Sequence, residues 1–339
     1  MKIHQINVGQ GHTTYIELAD GYRVVVDVDT WACVVDPIAY LERVIPPDRR
    51  GNRRIDLLIV THPHRDHSSG VARLLDQFEV AEVWETGHRL ECEDDWYSDL
   101  IDALESANAE VVAASSEPVK VTSGGAEVRV FAPSVSMTVT RPGDKERRRD
   151  VHDQCMVVSI REGERSFLVV GDSRWREWDA RIVEEYGNNL THEVFLASHH
   201  GSRTFFRDDE DDEEYKEGIH AVAPELVLVS VGENDFGHPH DDAVEIYASV
   251  ATAVLRTDEL GTLVATGDDD GWTVQALGDI DGKADEEPQE VYVTTRSSLV
   301  RDLAAVGAGV AVGAAAGGVI RYLRDRAADE RPRPRHWGV

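Results

Sequence analysis

A dense group of metal-binding side chain types follows an apolar run in the first quarter of the chain. Residues 55–60 predict a buried strand, and positions 61–67 then carry the sequence Thr-His-Pro-His-Arg-Asp-His. Side chains alternate between faces in an extended segment, so His62 and His64 are expected to point the same way and bind one cation. Asp66 and His67 lie beyond the bend and are expected to reach a second cation. A structural zinc site would normally use cysteine instead.

Further polar side chains lie at the ends of later predicted core strands. His152 precedes the predicted strand at 155–160, and Asp172 follows the predicted strand at 166–170. His199 and His200 follow the strand at 193–197, and His238 and His240 follow the strand at 226–231. Core strands hold such side chains rigidly, so the pattern predicts a site on the rim of a pair of sheets. A carboxylate such as Asp172 can bridge two cations.

The apolar pattern of the chain predicts an α/β fold with two sheets packed face to face and helices outside. Runs at 3–8, 13–18 and 23–29, with Asp20-Gly21 as a hairpin turn, predict an antiparallel edge at the start. The other predicted strands lie near 55–60, 80–84, 126–132, 155–160, 166–170, 193–197, 226–231, 252–256, 261–266 and 271–276, and the predicted helices near 69–77, 96–107 and 175–186.

The size and composition of the chain fit one large domain with an appendage, or two modest domains. It has 339 residues, of which 41% are hydrophobic, so a sizeable core can form. Three scattered cysteines, Cys33, Cys92 and Cys155, match no disulfide framework and favour a reducing compartment. The N-terminus lacks the pattern of a basic stretch before an apolar one. We therefore expect a cytoplasmic catalytic domain.

The net charge of the chain is −29, from 64 acidic and 35 basic residues. This charge disfavours long-range attraction to DNA but permits a nuclease whose metal ions bind phosphate locally. Residues 141–149 are an exception, with five basic residues against two acidic ones. This segment is interpreted either as a contact for substrate phosphate, with Arg148 among its contacts, or as an exposed loop. The acidic segment 207–217 is expected to be a solvated insertion.

The C-terminal part contains an apolar segment, residues 303–320, that carries no charge. Gly309, Gly313 and Gly317 repeat a small residue at every fourth position, as in close helix–helix contacts. Eighteen apolar residues reach the lower length limit for crossing a bilayer. Two interpretations stay open: a membrane anchor, or a soluble helix that packs on a partner. The expected organisation is a hydrolase domain at 1–277, a linker at 278–297, and this apolar helix with a basic tail at 298–339.

Several short motifs together resemble the metallo-β-lactamase superfamily, and most closely its branch found as the C-terminal domain of the competence protein ComEC and in free-standing relatives. The resemblance covers roughly residues 1 to 277. The motifs are Asn7-Val8-Gly9-Gln10-Gly11, Asp27 at a strand end, positions 62–67, Val170-Gly171-Asp172, Ser198-His199-His200-Gly201-Ser202, Ser230-Val231-Gly232 and Gly237-His238-Pro239-His240. The resemblance implies an αββα sandwich with a dinuclear metal centre, usually zinc and sometimes manganese.

The resemblance also implies a role for each site residue. The first metal would be bound by His62, His64 and His152, the second by Asp66, His67 and His200, with Asp172 bridging. Of the adjacent pair, His200 is favoured as the ligand and His199 as a neighbour in the second shell. His238 and His240 are expected to contact substrate, or else only to stabilise their turn. Asp27 is expected to orient the ligand histidines through their other ring nitrogen, or else to cap a loop.

Two departures from the branch bear on substrate rather than on the metal centre. His12 stands where an acidic residue is common, and Asp29 stands where glycine is often found. A histidine at position 152, where the branch commonly has an asparagine nearby, moves the site towards the wider superfamily.

The expected activity is metal-dependent hydrolysis in which the metal pair activates water, with Asp66 or a metal-bound water protonating the leaving group. The leading hypothesis is a phosphodiesterase acting on DNA or another nucleic acid. One alternative is a carbonyl hydrolase of lactam or thioester type. Another, from a different class, is a membrane-tethered partner module without catalysis.

The excess of carboxylates over lysines is typical of proteins from salt-loving organisms. At about 1 M salt the Debye length falls to about 3 Å, which screens self-repulsion. We predict that the folded chain loses stability on dialysis from molar salt into dilute buffer, as measured by circular dichroism during thermal unfolding. Unchanged stability in dilute buffer would contradict the hypothesis.

Overall fold

The computed structural model describes residues 1–31, 33–91, 94–113, 118–133, 151–278 and 289–293. Its larger sheet has nine strands in the order β16-β15-β14-β1-β2-β3-β4-β5-β6. These strands are β1 (Lys2–Gln5), β2 (Thr14–Glu17), β3 (Arg23–Val26), β4 (Arg54–Val60), β5 (Glu79–Glu85), β6 (Glu110–Ala113), β14 (Leu263–Asp268), β15 (Gly271–Ala276) and β16 (Gln289–Val293). Strands β1, β2, β14, β15 and β16 pair antiparallel, whereas β3 to β6 run parallel.

The smaller sheet has seven strands in the order β13-β12-β11-β10-β9-β8-β7. They are β7 (Val119–Val121), β8 (Glu127–Ala132), β9 (Val157–Glu162), β10 (Arg165–Val169), β11 (Val194–Leu196), β12 (Leu226–Val229) and β13 (Ala253–Arg256). Strands β10 to β13 are parallel, and β7, β8 and β9 pair antiparallel. Each sheet therefore has one parallel half, and helical connections cross its outer face.

Helices cover the outer face of each sheet. The α-helices are Pro37–Val44, Arg65–Ser68, Val71–Gln77, Asp95–Ser106, Trp175–Glu177, Val183–Tyr186, Glu217–Val222, Asp241–Val250 and Thr257–Leu260. The segment Trp178–Ile182 is a π-helical turn, and short 3₁₀ turns lie at Val151–Gln154, Gly187–Leu190 and Arg203–Phe205.

The layers follow from the alternation of side chains along each central strand. On β4, Leu57 and Ile59 point into the core between the two sheets, and Leu58 and Val60 pack under the helices on the outer face. Strand β4 is apolar on both faces because both are buried. The second outer layer packs Trp178 and other helical side chains on the smaller sheet. The four-layer αββα arrangement expected from the resemblance is confirmed.

Some predicted elements differ from the structure in detail. The helix predicted near 175–186 forms, but it consists of an α turn, the π turn Trp178–Ile182 and a further α turn. An inserted π turn changes which side chains share a face, which a regular 3.6-residue pattern does not anticipate. The helices Pro37–Val44 and Asp241–Val250 were not predicted. Strand β16 lies within the range 278–297, where a linker was expected.

Several predictions fall outside the described residues. These are the basic segment 141–149 with Arg148, the apolar segment 303–320 with its basic tail, and Cys92. Among the residues that the structure does describe, no helix combines the length and the apolar character needed to cross a bilayer. The predicted membrane anchor or partner helix at 303–320 stays a prediction.

One buried histidine far from the predicted ligands is neutral in the folded chain. His192 donates from Nδ1 to the Leu190 carbonyl at 2.8 Å and accepts at Nε2 from the Ser159 hydroxyl at 2.7 Å. Burial and the nearby Arg161 guanidinium together lower the pKa of His192 from 6.5 to about 3, against the opposing effect of the Leu190 carbonyl. Protonation would break the bond from Ser159.

We predict that His192 contributes to acid unfolding. Between pH 6.5 and about 3 the unfolded chain protonates this ring while the folded chain does not, so stability falls with falling pH by up to about 1.4 kcal/mol per pH unit. The variant His192→Gln should show a shallower fall in its free energy of unfolding, measured with denaturant at several pH values. The exposed His220→Gln is the control. Equal pH slopes in wild type and His192→Gln would contradict the prediction.

Candidate metal centre

The candidate site lies where parallel strands of both sheets end. Strands β3 and β4 lead to Asp27 and to the segment 61–67. Strands β10 and β11 lead to Asp172 and to the pair His199-His200. Parallel strands present their carboxyl ends at the same edge, so residues far apart in sequence meet there.

The first group of ligand atoms consists of His62, His64, His152 and Asp172. One ligand atom from each lies within 4.8 Å of all the others. The Nδ1 atom of His64 is 3.1 Å from Nε2 of His62 and 3.1 Å from Nε2 of His152. Oδ2 of Asp172 is 3.7 Å from each of these two Nε2 atoms. The structure thus brings together the residues predicted to bind the first metal.

The second group consists of Asp66, His67 and His200, again with ligand atoms within 4.8 Å of one another. Nε2 of His200 is 3.3 Å from Oδ2 of Asp66. Nε2 of His67 is 3.2 Å from Oδ1 of Asp172, whose other oxygen faces the first group. Asp172 therefore has one carboxylate oxygen towards each group, which is the position expected of a bridging ligand.

Hydrogen bonds fix three of the imidazoles in the form that a metal ligand needs. His67 Nδ1 donates to Oδ2 of Asp27 at 2.8 Å, and His200 Nδ1 donates to the carbonyl of Ser230 at 2.9 Å. The Thr61 hydroxyl donates to Asp27 at 2.7 Å, so it accepts from His62 Nδ1 at 3.2 Å. In each ring Nε2 is then the atom that faces the ligand group.

These residues fit a pair of divalent cations. Nε2 of His67 and Nε2 of His200 are buried and have no hydrogen-bond partner among the described residues, although each faces a carboxylate. Burial opposes protonation of both rings, but Asp172, Asp27 and Asp66 raise the pKa of His67 and of His200 above the usual value. A cation at either position would replace a proton. Imidazole and carboxylate ligands without thiolate suit zinc and similar divalent ions.

Asp27 forms hydrogen bonds with both ends of the ligand segment, residues 61–67. Its buried carboxylate accepts from the Thr61 amide at 2.6 Å, the Thr61 hydroxyl at 2.7 Å, and Nδ1 of His12 and of His67 at 2.8 Å each. Burial alone would raise the pKa of Asp27, but His67 and His12 lower it, so the group is ionised. The structure places Asp27 where an orienting role requires it, and Nδ1 of His12 completes the same set of bonds.

Backbone conformation also marks the site. Among the described residues, four that are not glycine have positive φ, and three of them are Asp27 at 53°, His199 at 50° and His200 at 55°. Left-handed conformations are disfavoured for side chains with a Cβ and persist where the surrounding structure holds them. Their concentration at the ends of β3 and β11 supports a functional role for this rim.

The adjacent histidines point in different directions. His200 joins Asp66 and His67, whereas His199 is not part of either group. His199 instead has Nε2 at 3.5 Å from Oδ2 of Asp172 and Nδ1 at 3.1 Å from the Thr204 hydroxyl. The structure thus places His200 in the second group and His199 beside Asp172.

The two predicted substrate contacts differ in their distance from the centre. The ring of His238 is 5.2 Å from that of His199, and its Nδ1 accepts from the Gln10 amide at 3.3 Å. Burial and the neighbouring histidines together lower the pKa of His238 to about 3, so it is neutral. His240 precedes helix Asp241–Val250 and accepts from the Arg203 amide at 3.3 Å. The structure therefore places the ring of His238 beside that of His199, and His240 at the start of this helix.

Two residues of the site were not singled out by sequence as functional. His12 was recognised only as a departure from the ComEC branch, and the structure bonds it to Asp27. Arg174 received no prediction, yet its Nη2 donates to Nδ1 of His152 at 3.0 Å. Its position two residues after Asp172 is the only feature of the sequence that could have drawn attention to it.

Comparison with known proteins identifies the family. Residues 6–191 match the Metallo-beta-lactamase superfamily model, which is more than half of the chain. The chain therefore belongs to the metallo-β-lactamase superfamily, a superfamily of metal-dependent hydrolases.

The chain is also similar to two longer proteins. It is 24% identical over 279 residues to ComE operon protein 3 of Bacillus subtilis (strain 168), covering 77% of this chain and 32% of that protein. It is 25% identical over 216 residues to competence protein ComA of Neisseria gonorrhoeae, covering 63% of this chain and 25% of that protein. The chain thus spans a third or less of the length of these relatives.

Among solved structures, zinc-bound PqqB from Methylobacterium extorquens superimposes with a TM-score of 0.49 at 11% identity. The match covers 78% of this chain and 99% of that one.

We predict that Asp27→Asn weakens metal binding about 10- to 100-fold, the usual effect of losing a partner of a metal-ligating histidine. Asparagine tolerates positive φ as aspartate does, but its amide cannot accept from Thr61, His12 and His67 together. Zinc affinity would be measured by competition with a chelator, with Asp56→Asn on β4 as the control. Wild-type affinity in Asp27→Asn would show that this carboxylate does not orient the ligands.

Proposed function

We propose that this protein is a phosphodiesterase that cleaves DNA or another nucleic acid by metal-dependent hydrolysis. The observation that carries the proposal is the pair of ligand groups that share Asp172. Two metals side by side suit the in-line displacement at phosphorus, because attacking and leaving oxygens both carry charge in the transition state. We propose nucleic acid as the substrate class from the motifs that resemble the ComEC branch, in keeping with the similarity to ComE operon protein 3 and competence protein ComA.

Water, rather than a side chain, is the nucleophile in this proposal. The hydroxyl of Ser198 is buried and within hydrogen-bonding distance of the carbonyls of Ser173 at 2.7 Å and Gly171 at 3.2 Å. The hydroxyl of Ser202 accepts from the Thr204 amide at the start of a 3₁₀ turn. Among the residues that the structure describes, neither serine is paired with a base as a nucleophilic serine would be. Divalent cations, when bound, would supply the Lewis acidity that makes hydroxide available at neutral pH.

Other residues of the site would position the ligands, transfer a proton and contact the substrate. Asp27 keeps His67 and Thr61 in position. Burial would raise the pKa of Asp66, but His200 and His67 lower it, so this carboxylate is ionised. As the more exposed of the carboxylates in the two ligand groups, it would take a proton from the attacking water and pass that proton to the leaving oxygen. His199 lies beside Asp172 on the open side of the site, where its neutral ring can contact substrate, because burial and the neighbouring His200 lower its pKa against the opposing charge of Asp172.

Two alternatives stay open because they use the same residues. A carbonyl hydrolase would use the same activated water on an acyl carbon. A partner module without catalysis would retain the fold while binding no metal. Metal analysis of the purified chain separates the module from both enzymes, because only the enzymes require bound metal.

We predict that His64→Ala lowers cleavage of phosphodiesters at least about 100-fold, since it removes the atom shared between His62 and His152 and a direct ligand matters at least as much as an outer partner. Initial rates would be measured with single-stranded DNA, duplex DNA, bis(4-nitrophenyl) phosphate and a 4-nitrophenyl ester. His220→Ala, at an exposed histidine, is the matched control. Undiminished phosphodiester cleavage in His64→Ala would refute the assignment, and cleavage of the ester alone would favour the carbonyl hydrolase.

A further inference from the structure

Arg174 occupies an unusual position next to a predicted metal ligand. It precedes helix Trp175–Glu177, is partly exposed, and donates from Nη2 to Nδ1 of His152 at 3.0 Å. A guanidinium has donors only, so Nδ1 of His152 must be the acceptor in this contact. The proton of the neutral ring then sits on Nε2.

That proton lies on the atom that faces the first ligand group. Nε2 of His152 is 3.1 Å from Nδ1 of His64 and 3.7 Å from Oδ2 of Asp172. A cation bound there needs the Nε2 lone pair, which moves the ring proton to Nδ1. Nδ1 then can no longer accept from Arg174, and two N–H groups face each other.

Three other ligand histidines have an Nδ1 contact that is compatible with a bound cation. In His62, His67 and His200 the Nδ1 atom faces an oxygen that can accept: a hydroxyl, a carboxylate and a carbonyl respectively. These rings keep their partners whether or not a cation is bound. Only at His152, among these four ligand rings, does the contact at Nδ1 exclude the metal-bound form.

We propose that Arg174 is the residue that binds the substrate phosphate, and that cation binding at His152 releases it for this task. This inference rests on the proposed function, since it assigns a phosphate to the same site. The guanidinium, once displaced from Nδ1, would stay within two residues of Asp172, beside the two ligand groups. Its planar fork binds two oxygens of one phosphate and matches a phosphodiester better than an uncharged ester.

Replacing Arg174 should change the affinities for zinc and for inorganic phosphate in opposite directions. Arg174→Gln removes the cation and offers an amide oxygen that can accept from Nδ1 of His152. Zinc should therefore bind more tightly, by about tenfold, because a hydrogen bond to a charged group no longer competes with it. Inorganic phosphate should bind the zinc-loaded variant about tenfold more weakly, because the charged donor is lost.

The chain offers a matched control two residues away. Arg176 is exposed, pairs with Asp208 at 2.6 Å and lies over the ring of Trp175. Arg176→Gln changes the net charge by the same amount and should leave both affinities at the wild-type value. Arg174→Lys keeps the charge but not the fork, and should recover part of the phosphate affinity.

Both affinities would be measured on the full chain without turnover: zinc by competition with a chelator on metal-free protein, and inorganic phosphate by calorimetry on zinc-loaded protein. Tighter zinc and weaker phosphate in Arg174→Gln alone support the proposal. Weaker zinc, unchanged phosphate affinity, or equal changes in Arg176→Gln overturn it. If wild type cleaves no phosphodiester but loses phosphate binding in Arg174→Gln, the proposed function fails and the assignment of Arg174 stands.

Discussion

The site depends on one buried anion, the carboxylate of Asp27. A buried charge is costly unless it is paired and fully hydrogen-bonded, and here one amide, one hydroxyl and two imidazoles satisfy it. Because Thr61 supplies two of these bonds and immediately precedes His62, the carboxylate fixes where the ligand segment leaves β4. Because His67 supplies another, it also fixes where that segment returns. Both ligand groups therefore take their geometry from a residue that belongs to neither.

The carboxylates and imidazoles of the two ligand groups are arranged to bind cations. Asp66 and Asp172 face Nε2 atoms of His67 and His200, whose pKa values they raise against the effect of burial. Without a cation, protons on these rings offset the carboxylates. Cation binding exchanges those protons for metal, so the same contacts that stabilise the metal-free site also make it ready for metal. His152 differs because its outer nitrogen faces a cation, Arg174, instead of an acceptor.

Local pattern in the sequence predicted most of the strands and the two-sheet arrangement, although β6, β7 and β16 were not predicted, and the family resemblance supplied the full set of ligand assignments. Strand β4 and the segment after it carry their information in consecutive residues, because an apolar run and alternating histidines are visible without any tertiary contact. The contacts of His12 and Arg174 were not predictable in this way, since each depends on loops brought together by folding. The π turn Trp178–Ile182 was not predicted either, because one extra residue in a turn does not change the composition of the segment. The roles of Arg148 and of residues 303–320 stay predictions.

The loop after β11 explains how two adjacent histidines can serve different purposes. His199, His200 and Gly201 all have positive φ, so the chain turns back sharply and sends the first ring towards Asp172 and the second towards Asp66. A Cβ at Gly201 would lie 2.6 Å from Cβ of Pro239, closer than real contacts allow. Glycine at this position therefore lets the segment with Pro239 pack directly on the pair, and that approach brings the ring of His238 to the mouth of the site. The spacing of the two motifs in the sequence does not predict this contact, because it depends on the backbone conformation of the folded chain.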